Sequence, residues 1–398
     1  MDNKSIIFHI DVNNAFLSWT AVKLLKEGEK MDIRTIPSII GGDESKRHGI
    51  VLAKSPVAKK YGIKTADTIY SARKKCRNLK VYPPNHEYYH DTSRKLFTYL
   101  SNYSPDMEQL SVDECFLDMS NTKYLYDNLI DLAYHIKNEI QNKFGFTVNI
   151  GIGNNKLCAK MASDFEKPNK VHTLFEEELE EKLWPLPVND LFMVGKKSAE
   201  KLELMGIKTI GDLAKSDINF LKKHFKSYGI TMWEYANGID NSKVINEYES
   251  NKCISVSETF EVDVDNINRL KKTLLEQTEK VTKQLREQHC YASTVAVTIR
   301  TYDFKNFSKQ AKLSNVTDIT NEIYKSVVNL FEHFWDGTKI RNIGVRLSNF
   351  TDHCDRQLSL FETYNESEHK FQKTLDNIKD KFGNDVLIPA SLLNKKDK

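Results

Sequence analysis

Apolar positions recur along this chain with two periods, and each period marks a different kind of element. Ser5-Ile6-Ile7-Phe8-His9-Ile10 is a β-type run closed by Asp11. Asn13 and Asn14 then supply turn and cap chemistry, and residues 15–25 read as a helix. Residues 35–40, 50–53 and 79–82 are further short strands, the last halted by Pro83-Pro84. Residues 86–103 read as a helix. Leu110-Ser111-Val112-Asp113-Glu114-Cys115-Phe116-Leu117-Asp118 is an apolar run broken by two adjacent carboxylates, which suits the two arms of a hairpin. Leu125, Leu129, Leu132, Ile136, Ile140 and Phe144 keep helical spacing and stop at Gly145. A strand over 147–152 follows, and Gly153-Asn154-Asn155-Lys156 opens a helix through Phe165. Strands joined by helices predict an α/β or α+β domain to this point.

The rhythm then changes. Residues 170–240 are mostly helical. Val194 to Leu202 and Met205 to Leu213 read as helix, tight turn, helix. Residues 241–252 are polar and form a linker. Beyond them the order strand, helix, strand, strand, helix, strand predicts a second α/β unit. Val295, Val297, Ile299, Ile343, Val345 and Leu347 alternate onto one face. Ser255, Ser257, Thr259, Thr294, Thr298, Arg300, Gly344, Arg346 and Ser348 fall on the other. The tail is polar, apart from the apolar island Gln357-Leu358-Ser359-Leu360-Phe361 and a helix with Phe371, Leu375, Ile378 and Phe382 on one face.

A chain of 398 residues predicts more than one domain, and 40% hydrophobic with 28% charged residues is a soluble globular composition. No apolar run reaches the ~18 residues a membrane span needs. The first residues lack the charged, apolar and small-residue order of a signal peptide, so a cytoplasmic location is expected. Six scattered cysteines form no C-x-x-C pair, which indicates neither a zinc site nor a disulfide framework. With a net charge of only +3, any nucleic-acid surface must come from segregated positive faces.

Successive side chains on a straight strand point to opposite faces. Asp113 and Glu114 therefore serve one site only where a strand turns or ends. Two carboxylates at such a tip are costly to bury without a partner charge, and hard oxygen ligands suit Mg²⁺. Asp11 at a strand end is a second place to hold a metal. Taken singly, the pair fits an exposed acidic turn, and Asp11 fits a strand-ending turn residue. The turn at Gly195, Lys196 and Lys197 can hold a DNA phosphate through backbone N–H groups without reading sequence. The hydroxyl and guanidinium face of the second unit (Ser255, Ser257, Arg300, Arg346) suits a phosphate backbone; a plain solvated face is the alternative. The island after the second unit looks like a docking peptide with apolar anchors.

Asp11, Ser111-Val112-Asp113-Glu114, the run from Gly151-Ile152-Gly153-x-Asn155-Lys156 to Lys167-Pro168, and the Gly195 hairpin form an ordered set. That set resembles the Y-family (translesion) DNA polymerases, the ImpB/MucB/SamB family, over about residues 5–350. The resemblance implies an α+β multidomain, right-hand fold. Its palm would be 1–25 and 75–168, fingers 26–74, helix-hairpin-helix thumb 169–240, linker 241–252, little finger 253–350 and tail 351–398. It implies error-prone, damage-tolerant, template-directed DNA synthesis from dNTPs on primer-template DNA. Two Mg²⁺ ions ~3.5–4 Å apart would be held by Asp11, the Val12 backbone carbonyl, Asp113 and Glu114. Phe16 falls at the steric-gate position, and Lys59 and Lys167 at triphosphate-contacting positions. Gln357, Leu358, Leu360 and Phe361 match the peptide by which bacterial polymerases dock on the sliding clamp. A monomer is expected. The rival from another class is a non-catalytic accessory protein that binds DNA and the clamp. Lys59, Pro56, Asn13 and Met193 depart from the commoner family pattern, and place the chain nearer UmuC and UvrX-type proteins than DinB proper.

Overall fold

The computed structural model describes residues 5–43, 49–246, 252–353, 366–383, 386, 387 and 389. The chain divides into two compact units, with the break at residues 248 and 249.

In the first unit, β1 (Ile7–Val12) buries Phe8, Ile10 and Val12 on one face and leads into α1 (Ala15–Lys26). A small sheet in the order β3-β2-β4 follows, built from β2 (Ser38–Gly41), β3 (Val51–Lys54) and β4 (Lys80–Tyr82). Between β3 and β4 lie α2 (Pro56–Lys60) and α3 (Ile69–Lys75). Ser55 starts α2 by accepting the Ala58 N–H at 2.9 Å, and Pro56 occupies the first turn, where its missing N–H costs nothing. Ile39, Val51, Ala58, Ile63 and Ile69 make a separate small core there.

Next come α4 (His86–Leu100), β5 (Met107–Gln109), β6 (Glu114–Asp118), α5 (Leu129–Phe144), β7 (Val148–Gly153), α6 (Lys156–Asp164) and β8 (Val171–Leu174). The five strands form one sheet in the order β5-β6-β1-β7-β8, antiparallel except for the β7–β8 pair. Side chains from α4 and α5 complete the core on the Phe8, Ile10 and Val12 face. The opposite face carries His9 and Asp11 towards α6. α5 begins four residues later than the apolar spacing suggests. Asn128 accepts the N–H groups of Ile130 and Asp131 at 2.8 and 3.4 Å, so it caps the helix, and Leu125 is left 75% exposed in the preceding turn.

The helical part holds α7 (Lys196–Leu204), α8 (Ile210–Ala214), α9 (Ile218–Phe225) and α10 (Ser227–Ala236) around Leu183, Val188, Leu202, Ile210, Leu213 and Leu221. The described part of the linker lies along β5. Asn246 Oδ1 accepts the Met107 N–H at 2.7 Å, which covers one backbone donor of an edge strand, and the Ile245 N–H of the linker donates to the Glu108 carboxylate at 3.0 Å.

The second unit is an antiparallel sheet in the order β11-β10-β12-β9. It comprises β9 (Cys253–Val264), α11 (Ile267–Glu287), β10 (Tyr291–Thr301), β11 (Asn306–Thr317), α12 (Thr320–Phe334) and β12 (Ile340–Thr351). The register pairs Val295 with Leu347, Val297 with Val345 and Ile299 with Ile343, and these pack with Leu274, Val281, Ile323, Val327 and Phe331 of α11 and α12. A last helix, α13 (Glu366–Phe382), packs on this unit by a face the apolar pattern does not mark. Asp376 bonds Arg286 at 2.5 and 3.1 Å, Lys379 and Lys283 pair with Glu279 and Asp380, and Gln372 is buried. Phe371 and Phe382 are 58% and 64% exposed. Arg286 and Lys283 on α11 decide the docking, because buried ionic groups demand partners.

Candidate active site

Asp11, the last residue but one of β1, lies directly opposite Glu114, the first residue of β6. The turn between β5 and β6 delivers the other carboxylate. The N–H groups of Leu110 and Ser111 both reach the Glu114 carbonyl, at 3.0 and 3.2 Å, and the Val12 N–H reaches the Asp113 carbonyl at 3.0 Å. Asp113 is therefore the last residue of a turn and Glu114 the first of a strand, which frees the pair from strict strand alternation. Ser111 Oγ donates to Asp113 Oδ1 at 2.6 Å. Burial holds the Asp113 carboxyl above its ordinary range against that hydrogen bond, and the charges of Asp11 and Glu114 push the same way. The three acids thus sit in one field.

Cations answer two of them. Lys160 of α6 is ion-paired with Glu114, and Lys167 with Asp11, Lys167 also meeting Asp164 at 2.7 Å. His9, fully buried, places Nε2 3.2 Å from Glu114 Oε2. Burial would push the Glu114 carboxyl up, but the nearby His9 ring and the Lys160 ammonium bring it down to about 2. Burial pulls the His9 pKa below its ordinary value. α6 reaches this face because β7 presents Gly151: a Cβ there would stand 2.0 Å from the Ala159 carbonyl oxygen and 2.4 Å from the Ser163 nitrogen. Among the described residues no three His, Cys, Asp or Glu side chains are gathered at metal-coordinating spacing. Two of the three carboxylates instead face lysine.

A buried amide network fixes the segment that carries Lys167. Asn13 Nδ2 donates to Asn149 Oδ1 at 3.0 Å, Asn13 Oδ1 accepts the Asn169 N–H at 2.8 Å, and Asn149 Nδ2 donates to the Ser163 and Glu166 carbonyls at 2.9 and 2.6 Å. Asn13 therefore uses its amide as both donor and acceptor, which an ionised carboxylate in its place could not do. Phe16, on the first turn of α1, stacks on buried Tyr89 with ring centroids 4.6 Å apart and 10° between planes. Lys59 is exposed on α2, outside the ion pairs of the three acids.

The expected DNA-contacting residues fall as follows. Gly195 caps α7, with its carbonyl accepting the Ser198 and Ala199 N–H groups at 2.9 and 3.0 Å, and Lys196 and Lys197 are exposed beside it. Met193, two residues before Gly195, adopts φ +72°, a left-handed conformation that favours glycine. In the second unit the register aligns Arg346 with Ser255, and Gly344 with Ser257 and Thr298, on the side away from the helices. Arg300 is exposed and donates to Asn306 at 2.8 Å. Ser308 and Gln310 of β11 join that face opposite Thr298 and Ala296. Residues 357–361 lie outside the described residues.

His9, Lys160, Ser163 and Asn149 were missed as site residues by sequence reasoning. The signal for His9 was present: it lies two positions before Asp11, hence on the same strand face.

Three family profiles match the chain: impB/mucB/samB family over residues 10–164, IMS family HHH motif over 176–207, and impB/mucB/samB family C-terminal domain over 251–360. A protein named DNA polymerase IV from Clostridium acetobutylicum is 45% identical over 99% of both chains. DNA polymerase IV 2 of Bacillus subtilis is 34% identical over 99% of this chain and 96% of its own. A solved Y-family DNA polymerase chimera of Dbh and Dpo4 shares the fold, with TM-score 0.75 and 23% identity over 86% of this chain and 98% of that one. These comparisons do not support the finer placement nearer UmuC and UvrX-type proteins. On profiles spread along the chain and on relatives matched end to end, this chain belongs to the impB/mucB/samB family.

Proposed function

We propose that the chain is a template-directed DNA polymerase that copies past damaged bases, with Asp11, Asp113 and Glu114 holding two Mg²⁺ ions and the Val12 carbonyl as a further ligand. The observation that carries this reading is the strand register that sets Asp11 of β1 opposite Glu114 of β6, with Asp113, the turn residue before it, hydrogen-bonded through its carbonyl to the Val12 N–H. Such a set of hard oxygen donors fits a divalent cation, and the lysines paired with Asp11 and Glu114 support the reading of a place for positive charge. When bound, the ions would acidify the primer 3′-hydroxyl and neutralise charge on the triphosphate.

The chain's own groups do the rest. Lys167 stands on Asp11 and is placed to exchange that carboxylate for a triphosphate oxygen, and Lys59 supplies a second, point-charge contact. The Phe16 ring, backed by Tyr89, excludes a ribose 2′-hydroxyl. The Gly195, Lys196 and Lys197 turn, and Ser255, Ser257, Arg300 and Arg346, hold phosphates of primer-template DNA without reading bases. Gln357, Leu358, Leu360 and Phe361 dock on the bacterial sliding clamp. Palm (1–25, 75–168), fingers (26–74), thumb (169–240), linker (241–252), little finger (253–350) and tail (351–398) are the domain bounds expected from the sequence; in the sheets β4 (Lys80–Tyr82) joins β2 of the fingers and β8 (Val171–Leu174) joins β7 of the palm. Among the described residues no helix is long and apolar enough to cross a membrane. The reading is of a monomer working in the cytoplasm. Extension of a labelled primer on undamaged and lesion-bearing templates tests the reading. Synthesis on both supports it; DNA and clamp binding without synthesis would leave an accessory protein.

A further inference from the structure

His9 is polar, fully buried, and sits mid-strand between Phe8 and Ile10. An apolar side chain would pack against Phe116, whose ring centroid is 4.8 Å away, at no polar cost. Burying an imidazole is unfavourable unless its nitrogens find partners. Nδ1 lies 2.8 Å from Ser163 Oγ on α6. Nε2 lies 3.2 Å from Glu114 Oε2, short of the alignment of a full hydrogen bond, and has no other partner among the described residues. Hydrogen bonds at such sites commonly tighten only in the working complex.

Proton counting decides what the ring does. Ser163 Oγ is also 2.8 Å from the Lys160 carbonyl, and a hydroxyl has one proton to give. If that proton goes to Lys160, His9 carries its hydrogen on Nδ1, and the Nε2 lone pair faces a carboxylate oxygen. If it goes to Nδ1, the hydrogen of His9 is on Nε2 and points at Glu114. An ionised Glu114 selects the second arrangement. Among the described residues the recorded contacts of the Glu114 carboxylate, from His9 and from Lys160, both fall on Oε2. Lys160 is a long flexible side chain that can leave for a phosphate; His9, in a strand and fully buried, cannot.

We propose that His9, oriented by Ser163, is a positioning residue for Glu114: it fixes the carboxylate by its Oε2 and leaves Oε1 for the divalent cation. Imidazole–carboxylate pairs behind a metal ligand act in this way, and removing the outer partner typically lowers metal affinity by roughly 10–100-fold. The inference rests on the polymerase reading for Glu114 as a ligand, but it is read out separately.

The test uses the full chain with His9→Leu, His9→Gln and Ser163→Ala. The Gln amide nitrogen can replace the Nε2 donor; Leu cannot. Mn²⁺ binding is measured by calorimetry without DNA, primer extension is resolved into kcat and KM for dNTP, and thermal unfolding is followed for each variant. His9→Leu is expected to weaken Mn²⁺ binding about tenfold or more and to lower kcat with little change in KM for dNTP. His9→Gln should recover most of both, and Ser163→Ala should fall between. Wild-type Mn²⁺ affinity in His9→Leu, or equal losses in Leu and Gln, overturns the inference. Should His9→Leu fail to fold, His9→Gln and Ser163→Ala decide: a Mn²⁺ affinity for Ser163→Ala at or above that of His9→Gln overturns it. Failure of the wild-type chain to extend any primer strikes the polymerase reading instead, and leaves the Mn²⁺ comparison intact.

Discussion

Asp11 and Glu114 are register partners on adjacent antiparallel strands, and each is held by its own lysine, Lys167 and Lys160. Strand pairing thus brings together acids 103 positions apart, and α6 with the turn after it supplies the positive charge that faces them.

Phe16 is stacked on a buried tyrosine whose hydroxyl is tied to Thr20 Oγ1 at 2.8 Å, so its ring cannot easily yield to a bulkier sugar. Phe16→Ala is expected to raise ribonucleotide incorporation relative to deoxynucleotide by roughly ten- to two-hundredfold, the range a steric contact discriminates. Competing single-nucleotide incorporation measures this. An unchanged ratio removes Phe16 from sugar selection.

Met193 pays the left-handed penalty at φ +72° with a 61% exposed side chain, so little packing is lost on trimming it. Its carbonyl, which accepts from the Tyr228 hydroxyl, survives substitution. Met193→Gly should stabilise the first unit by about 1 kcal/mol, the strain relieved less the extra unfolded-state entropy of glycine. A shift of the denaturant midpoint to higher concentration at unchanged slope is the expected result.

Glu178 accepts from Lys182 Nζ at 2.5 Å, the Phe175 N–H at 2.8 Å and Thr173 Oγ1 at 3.0 Å. Burial alone would push its carboxyl up, but these bonds hold it below its ordinary value of 4.5. The folded chain therefore binds this proton more weakly than the unfolded chain. The stabilisation is complete above the ordinary value and is lost as pH falls through the folded-state value. Unfolding measured from pH 7 downward should show Glu178→Gln less stable at neutral pH, with the gap to wild type closing in acid. A constant gap would assign the loss to packing.

Leu360 and Phe361 are the apolar anchors of the tail island. Replacing both with alanine should abolish binding to the bacterial sliding clamp while leaving distributive primer extension within about twofold, since hot-spot anchors dominate such contacts. Retained clamp affinity would dismiss the peptide.

The acid pair was legible in the sequence because a turn interrupts an apolar run, and apolar alternation gave the second sheet's register face. What stayed hidden has physical causes. His9 occupies the polar half of an alternating strand, where a buried imidazole and a solvated one look alike. The docking face of α13 was hidden because Gln372, Asp376 and Lys379 are polar, and their partners, Thr320 of α12 and Arg286 and Glu279 of α11, lie far away in the sequence. Leu125 continued the apolar spacing of α5, yet the Asn128 cap starts the helix after it. Lys160 resembled any helical lysine until strand pairing set Glu114 before it.

The central claim is that Asp11, Asp113 and Glu114 form the polymerising centre. Asp113→Asn keeps the shape and the Ser111 hydrogen-bond partner while removing one charge from the set. Primer extension by this variant with Mg²⁺ should fall by about a thousandfold or more, as expected when a charge-stabilising group is removed, with primer-template affinity within a few-fold of wild type. Wild-type extension by Asp113→Asn would contradict the account.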